Sequence, residues 1–441
     1  MSALPTDIDT LIEARWIVPV EPARSVLSDY ALAIDGGRIA AILPAAEART
    51  RYRAREVVAL PGHALIPGLI NLHGHSAMTL MRGLAEDLPL MDWLHHIWPA
   101  EMRHVSPAFV YDGSLLACAE MLRGGITCFN DMYFFPRDTA RAALDSGMRC
   151  AVGLIVVEFP SPYAADAQDY LSKGLALRDE LKGEALLSFC FAPHAPYTVS
   201  DDNLRRVATY AEELGLPVQI HLHETQHEID DSLKTHRVRP LQRLQEAGLL
   251  GPGLIAVHGV HFEAGEIETL ARHGCHVAHC PSSNLKLASG IAPVTALRAA
   301  GVNVGLGTDG AASNNRLDLL EEMRLAALLA KGASGDATAI PDWHALEMAT
   351  INGARALALD DQIGSLLPGK LADVVAVELA SPEMAPCYDP LSHLVYAAGR
   401  AQVSDVWIGG RRQLANGALT GINTETLLAR ANYWRDRIQS P

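Results

Sequence analysis

The 441-residue chain is poor in the features that would make it a secreted, membrane-bound or nucleic-acid-binding protein. Its seven cysteines (Cys118, Cys128, Cys150, Cys190, Cys275, Cys280 and Cys387) are odd in number, scattered through apolar segments and contain no CxxC pair. That usage argues against a disulfide framework or a cysteine-held zinc and fits thiols buried in a reducing compartment. Basic side chains are outnumbered, 36 to 51, and the formal charge of −15 repels polyphosphates, so nucleic acid is not expected as a partner. The amino terminus MSALPTDIDT lacks a basic segment followed by an apolar one, and no uninterrupted apolar run could span a bilayer. A cytoplasmic protein without a membrane partner is the expectation. There is also no low-complexity tract, no long charge run and no internal repeat beyond an alternation of strands and helices.

What is present is enough apolar sequence for a large core: 49% of residues are hydrophobic and 20% charged. Short strand signals and tight turns fill the region up to residue 64, with a hairpin turn at Gly36 and Gly37. Amphipathic helices then alternate with eight short apolar runs, at 65–75, 125–133, 149–157, 186–195, 218–225, 254–261, 276–284 and 303–310. Eight such runs predict a (β/α)8 barrel, class α/β, over residues 65–363. Strand signals return after residue 364. Residues 1–64 and 364–441 are therefore expected to form one composite β-sandwich, completed by a carboxyl-terminal helix.

The runs end in polar side chains: His75, Asp131, His194, His221 with Glu224, His258, Ser282 with Asn284, and Asp309. Barrels of this kind place their chemistry at the carboxyl ends of the strands. In LIPGLINLHGH, at 65–75, the two-residue period of a strand sends His73 and His75 to one face. An isolated HxH is a weak signal. With His221 on the fifth run and Asp309 on the eighth, which barrel closure brings beside the first, it becomes a four-ligand set for one divalent metal ion, zinc by preference. His223 shares a face with His221, and one of the two is expected to pack or support rather than bind. The connection after His75 is long, and its segment GLAEDLPLMDWLHHIWPAEMRH is expected to form a lid or substrate wall.

HGH on the first run, HLHET on the fifth, VHGV on the sixth and GTDG on the eighth resemble the amidohydrolase superfamily over nearly the whole chain. The segments at 78–94, 131–134, 192–200 and 279–293 are similar to bacterial 5-methylthioadenosine/S-adenosylhomocysteine deaminases. The resemblance implies hydrolytic deamination at a cyclic amidine, with related aminohydrolases of guanine, 8-oxoguanine, cytosine or s-triazines as the alternative, and a metal-free structural relative as a second one. The fourth run carries no lysine to bridge two metals, so one metal is expected. Glu224 would shuttle a proton to the ring, Asp309 would bind metal and take up a proton, and His258 would hydrogen-bond the attacking oxygen. His194 would meet a ring nitrogen, Glu101 the ribose hydroxyls, and Trp93, Trp98 and Met81 would pack on the adenine or thioether. Relatives that bind a homocysteine carboxylate place an arginine where this chain has Leu154, so methylthioadenosine is favoured over S-adenosylhomocysteine and adenosine. A homodimer or homotetramer is expected.

Overall fold

The computed structural model describes residues 5–440; the first four residues of the amino-terminal segment lie outside them. Sixteen strands form two eight-stranded sheets. The outer strands come from both ends of the chain: β1 (Thr6–Ile17), β2 (Leu27–Asp35), β3 (Arg38–Pro44), β4 (Tyr52–Pro67), then, after the second sheet, β13 (Val374–Glu378), β14 (Val403–Ile408), β15 (Arg411–Ala415) and β16 (Ala418–Leu419). The strands β5 (Leu69–Gly74), β6 (Ile126–Asp131), β7 (Arg149–Val156), β8 (Leu187–Pro193), β9 (Val218–Leu222), β10 (Leu254–His258), β11 (His276–His279) and β12 (Asn303–Leu306) make the second.

The second sheet is the barrel. Its neighbours are parallel in sequence order from β5 to β12. β5, β6, β7, β9 and β10 are buried along their whole length, which is why they read as continuous apolar runs. The seam is joined past the end of β12: Asp309 N donates to His73 O at 3.1 Å, and Thr308 N to Asn71 Oδ1 at 2.9 Å. Asp309 thereby lies beside the HxH pair, as barrel closure required.

The strands stop earlier than the apolar runs do. In the seventh, β11 ends at His279 and Ser282 and Asn284 sit on a short helix, Pro281–Lys286. The first run is divided: Leu65, Ile66 and Pro67 finish β4 and pair with β13, and the barrel begins at Leu69. Gly68 marks the break, because a Cβ there would come within 2.0 Å of Thr127 Oγ1.

The mixed sheet has the order β16-β15-β14-β13-β4-β1-β2-β3, so carboxyl-terminal strands join the amino-terminal ones through β13 and β4. It curls until the β2–β3 and β14–β15 turns touch; a Cβ on Gly37 would lie 2.8 Å from Gly409 O. Ile12, Ile17, Leu32, Ile34, Leu65, Val374 and Trp407 fill the space it encloses. The helix Thr424–Gln439 packs on the barrel helix Pro107–Arg123, with Trp434 edge-on to Phe109 at 5.2 Å and its Nε1 donating to Asp112 at 2.9 Å. Among the described residues no helix is long and apolar enough to cross a membrane.

Candidate metal centre and active site

Four histidines and Asp309 converge at the carboxyl ends of β5, β9, β10 and β12. Each histidine is oriented through Nδ1. His73 Nδ1 lies 3.1 Å from Gln219 Oε1, His75 Nδ1 2.6 Å from Met132 O, His221 Nδ1 2.7 Å from His194 O, and His258 Nδ1 2.8 Å from Asn284 Oδ1. The Gln219 amide is itself fixed, since its Nε2 donates to Asn130 Oδ1 and Asp131 O. A carbonyl-type oxygen can only accept, so each neutral imidazole carries its proton on Nδ1 and turns an Nε2 lone pair to the centre.

Those lone pairs face one another and a carboxylate. Asp309 Oδ1 is 3.4 Å from His73 Nε2 and 3.2 Å from His75 Nε2, while His73 Nε2 and His221 Nε2 are 3.2 Å apart. Asp309 Oδ2 accepts hydrogen bonds of 2.6 Å from Ser283 and from Ser313, leaving Oδ1 buried without a hydrogen-bond partner. Two opposed nitrogen lone pairs and a bare buried carboxylate oxygen require a cation between them. The ligand atoms of His73, His221, His258 and Asp309 all lie within 4.8 Å of one another, and this nitrogen and oxygen donor set suits one divalent ion.

Titration preferences follow the same geometry. Burial, with other imidazoles nearby, holds the pKa of His221 well below the usual histidine range, and burial lowers that of His73. Burial also works against charging His75, but the Asp309 carboxylate 3.2 Å away outweighs it and raises its pKa to about 9. Burial works against ionising Asp309, but the adjoining His73 and His75 rings hold its pKa well below the usual carboxylate range.

Above the cluster lies a cavity of about 260 Å³. Glu224 reaches into it from the loop after β9, with Oε2 3.8 Å from His258 Nε2. Burial, reinforced by the charge of Asp309, raises its carboxyl to about 8. The helix Leu90–His104 forms one wall, because Trp93, Ile97 and Glu101 recur at four-residue spacing along a single buried face. Glu101 accepts a 2.6 Å hydrogen bond from the Tyr133 hydroxyl, and burial lifts its pKa to about 7. Trp98 and His194 also line the cavity, and burial drives the latter's pKa down to about 3.

A family model described as the amidohydrolase family matches residues 64–412. The chain belongs to the amidohydrolase family. It is 48% identical to a 5-methylthioadenosine/S-adenosylhomocysteine deaminase of Teredinibacter turnerae, covering 98% of each chain. The same-named protein of Saccharophagus degradans is 46% identical over 99% of this chain and 98% of its own. A crystal structure described as an adenosine deaminase from Xanthomonas campestris with bound zinc superposes with a TM-score of 0.97, at 48% identity and 99% coverage of both chains.

Every residue that the sequence singled out in this amidohydrolase for the metal, the proton transfer or His194's role lies in or against this cavity. Two details differ. The four residues whose ligand atoms lie within 4.8 Å of one another include His258, expected to hydrogen-bond the attacking oxygen, and not His75, whose Nε2 is 3.2 Å from Asp309 Oδ1. Met81 is buried away from the cavity, and Met78, three residues earlier, lines it instead. His223 is the packing histidine: its Nε2 accepts from Leu241 N at 3.1 Å. Asp131, at the end of β6, accepts from Ser76 N at 2.7 Å and serves the backbone after the HxH pair. Sequence reasoning missed Gln219, Ser283, Ser313 and Tyr133. Gln219 alone left a signal, a polar residue two positions before His221 and hence on its face of β9.

Proposed function

We infer that this hydrolase, acting on the C–N bonds of cyclic amidines, removes the 6-amino group of an adenine nucleoside, with 5'-methylthioadenosine preferred. The observation that carries the reading is Glu224 beside a histidine and aspartate cluster on the floor of a cavity whose lining contains no lysine or arginine. Zinc held by His73, His75, His221 and Asp309 would supply an activated water near neutral pH.

The chain's own side chains account for the rest. Water attacks C6 as Glu224 passes the first water proton to the adjacent ring nitrogen, so negative charge does not accumulate on the ring. Asp309 takes up the second proton, which leaves with the amino group as ammonia, and the C6 oxygen remains on an inosine analogue. His258 holds the attacking oxygen, and His194 faces the purine. Glu101, steadied by the Tyr133 hydroxyl, accepts from the ribose hydroxyls. Trp93, Ile97, Trp98 and Phe159 offer an apolar wall to a methylthio group. A homocysteine carboxylate would meet Glu101 and no cation, which supports methylthioadenosine over S-adenosylhomocysteine. An ammonia-release assay over both compounds, adenosine, guanine, cytosine and an s-triazine tests the order.

Six buried and one partly buried thiol, none paired, support residence in the cytoplasm. The protein is further expected to be a symmetric dimer or tetramer, and sedimentation at micromolar concentration returning a monomer mass would contradict that.

A further inference from the structure

The carboxylate of Glu228 is bound in an unusual place. The helix Gln226–His236 is capped by Thr225, whose side chain accepts from Glu228 N at 3.3 Å. A glutamate at this third helical position ordinarily reaches back to the peptide N–H of the cap itself. Glu228 reaches further: its Oε1 accepts from His223 N at 3.0 Å and its Oε2 from Glu224 N at 2.9 Å. His223 has φ +54°, a left-handed conformation that is strained for a residue with a β-carbon. Successive peptide N–H groups turned to one side in this way form a concavity for an anion, and Glu228 fills it from behind. The far side of the turn is pinned too, since His261 N donates to His223 O at 3.0 Å and Leu241 N to His223 Nε2.

We propose that Glu228 is a positioning residue for the deamination: it fixes the peptide carrying Glu224, and so sets the height at which the Glu224 carboxylate meets the ring nitrogen. The proposal rests on Glu224 being the proton carrier. Glu228 is not among the residues that line the active-site cavity or form the metal cluster. Its replacement therefore acts on proton transfer rather than on binding.

The experiment compares Glu228→Gln, Glu228→Asp and Glu224→Gln, singly and in the pair Glu224→Gln/Glu228→Gln, with rates normalised to metal content in folded protein. Glutamine presents an N–H to one of the two peptide donors, and aspartate is too short to span both. Each Glu228 variant is expected to keep its metal and to lose about 10- to 100-fold in kcat with KM changed less than about threefold. In the Glu224→Gln background the second substitution should cost less than about twofold, because the two residues act as one unit. Three results overturn the proposal: a lowered melting temperature with kcat of the folded protein unchanged, wild-type kcat in Glu228→Asp, or losses that multiply in the double variant. Wild-type kcat in Glu224→Gln overturns instead the reading on which the proposal rests.

Discussion

Asp309 shows how single residues build this centre. Its two oxygens are treated differently: Ser283 and Ser313 saturate Oδ2, while Oδ1 is left bare opposite the histidines. Gln219 does the same service for His73 by presenting only Oε1. Because such supports fix tautomer and ring orientation, Gln219→Leu is expected to weaken metal binding by about 10- to 100-fold in a chelator competition, with the fold intact. Glu224 holds a proton, not a ligand position. Glu224→Gln should retain a full equivalent of metal and lose at least about 100-fold in kcat; loss of metal with the activity would mean that Glu224 had been misassigned.

At the level of elements, the strands announce themselves and the supports do not. A strand buried on both faces must be an apolar run, so the eight barrel strands could be read directly, and the histidines and acids stood out at their ends. The break at Gly68 was hidden inside one such run, because residues 65–67 and Leu69–Gly74 are both fully buried although they belong to different sheets. Ser283 and Ser313 gave no signal, since a serine that donates to Asp309 and one in solvent look alike in sequence. Elements are also joined by charge. Arg149, at the start of β7, makes a two-pronged contact of 2.7 and 3.0 Å with Asp373, just before β13, and both side chains are buried. Asp373 Oδ1 also accepts from Gly409 N in the β14–β15 turn, at 2.8 Å. Arg149→Met strands this carboxylate, and should lower the unfolding free energy by about 3 kcal/mol, read as an earlier urea midpoint, with KM unchanged in the folded protein.

For the molecule as a whole, the mixed sheet and the barrel share one continuous chain through Gly68, and the barrel's polar residues gather at one end under the wall made by Leu90–His104. The cation-binding donors, the buried proton carrier and a cavity wall without lysine or arginine are jointly what a hydrolytic deaminase of an uncharged nucleoside needs. The direct measurement is ammonia release by zinc-loaded protein with 5'-methylthioadenosine, repeated after chelation and after zinc is restored. One ammonia per inosine analogue formed is expected, with a higher kcat/KM than for S-adenosylhomocysteine, loss of turnover on chelation and its return with zinc. Absence of turnover with every adenine nucleoside, or turnover that survives complete metal removal, would contradict this expectation.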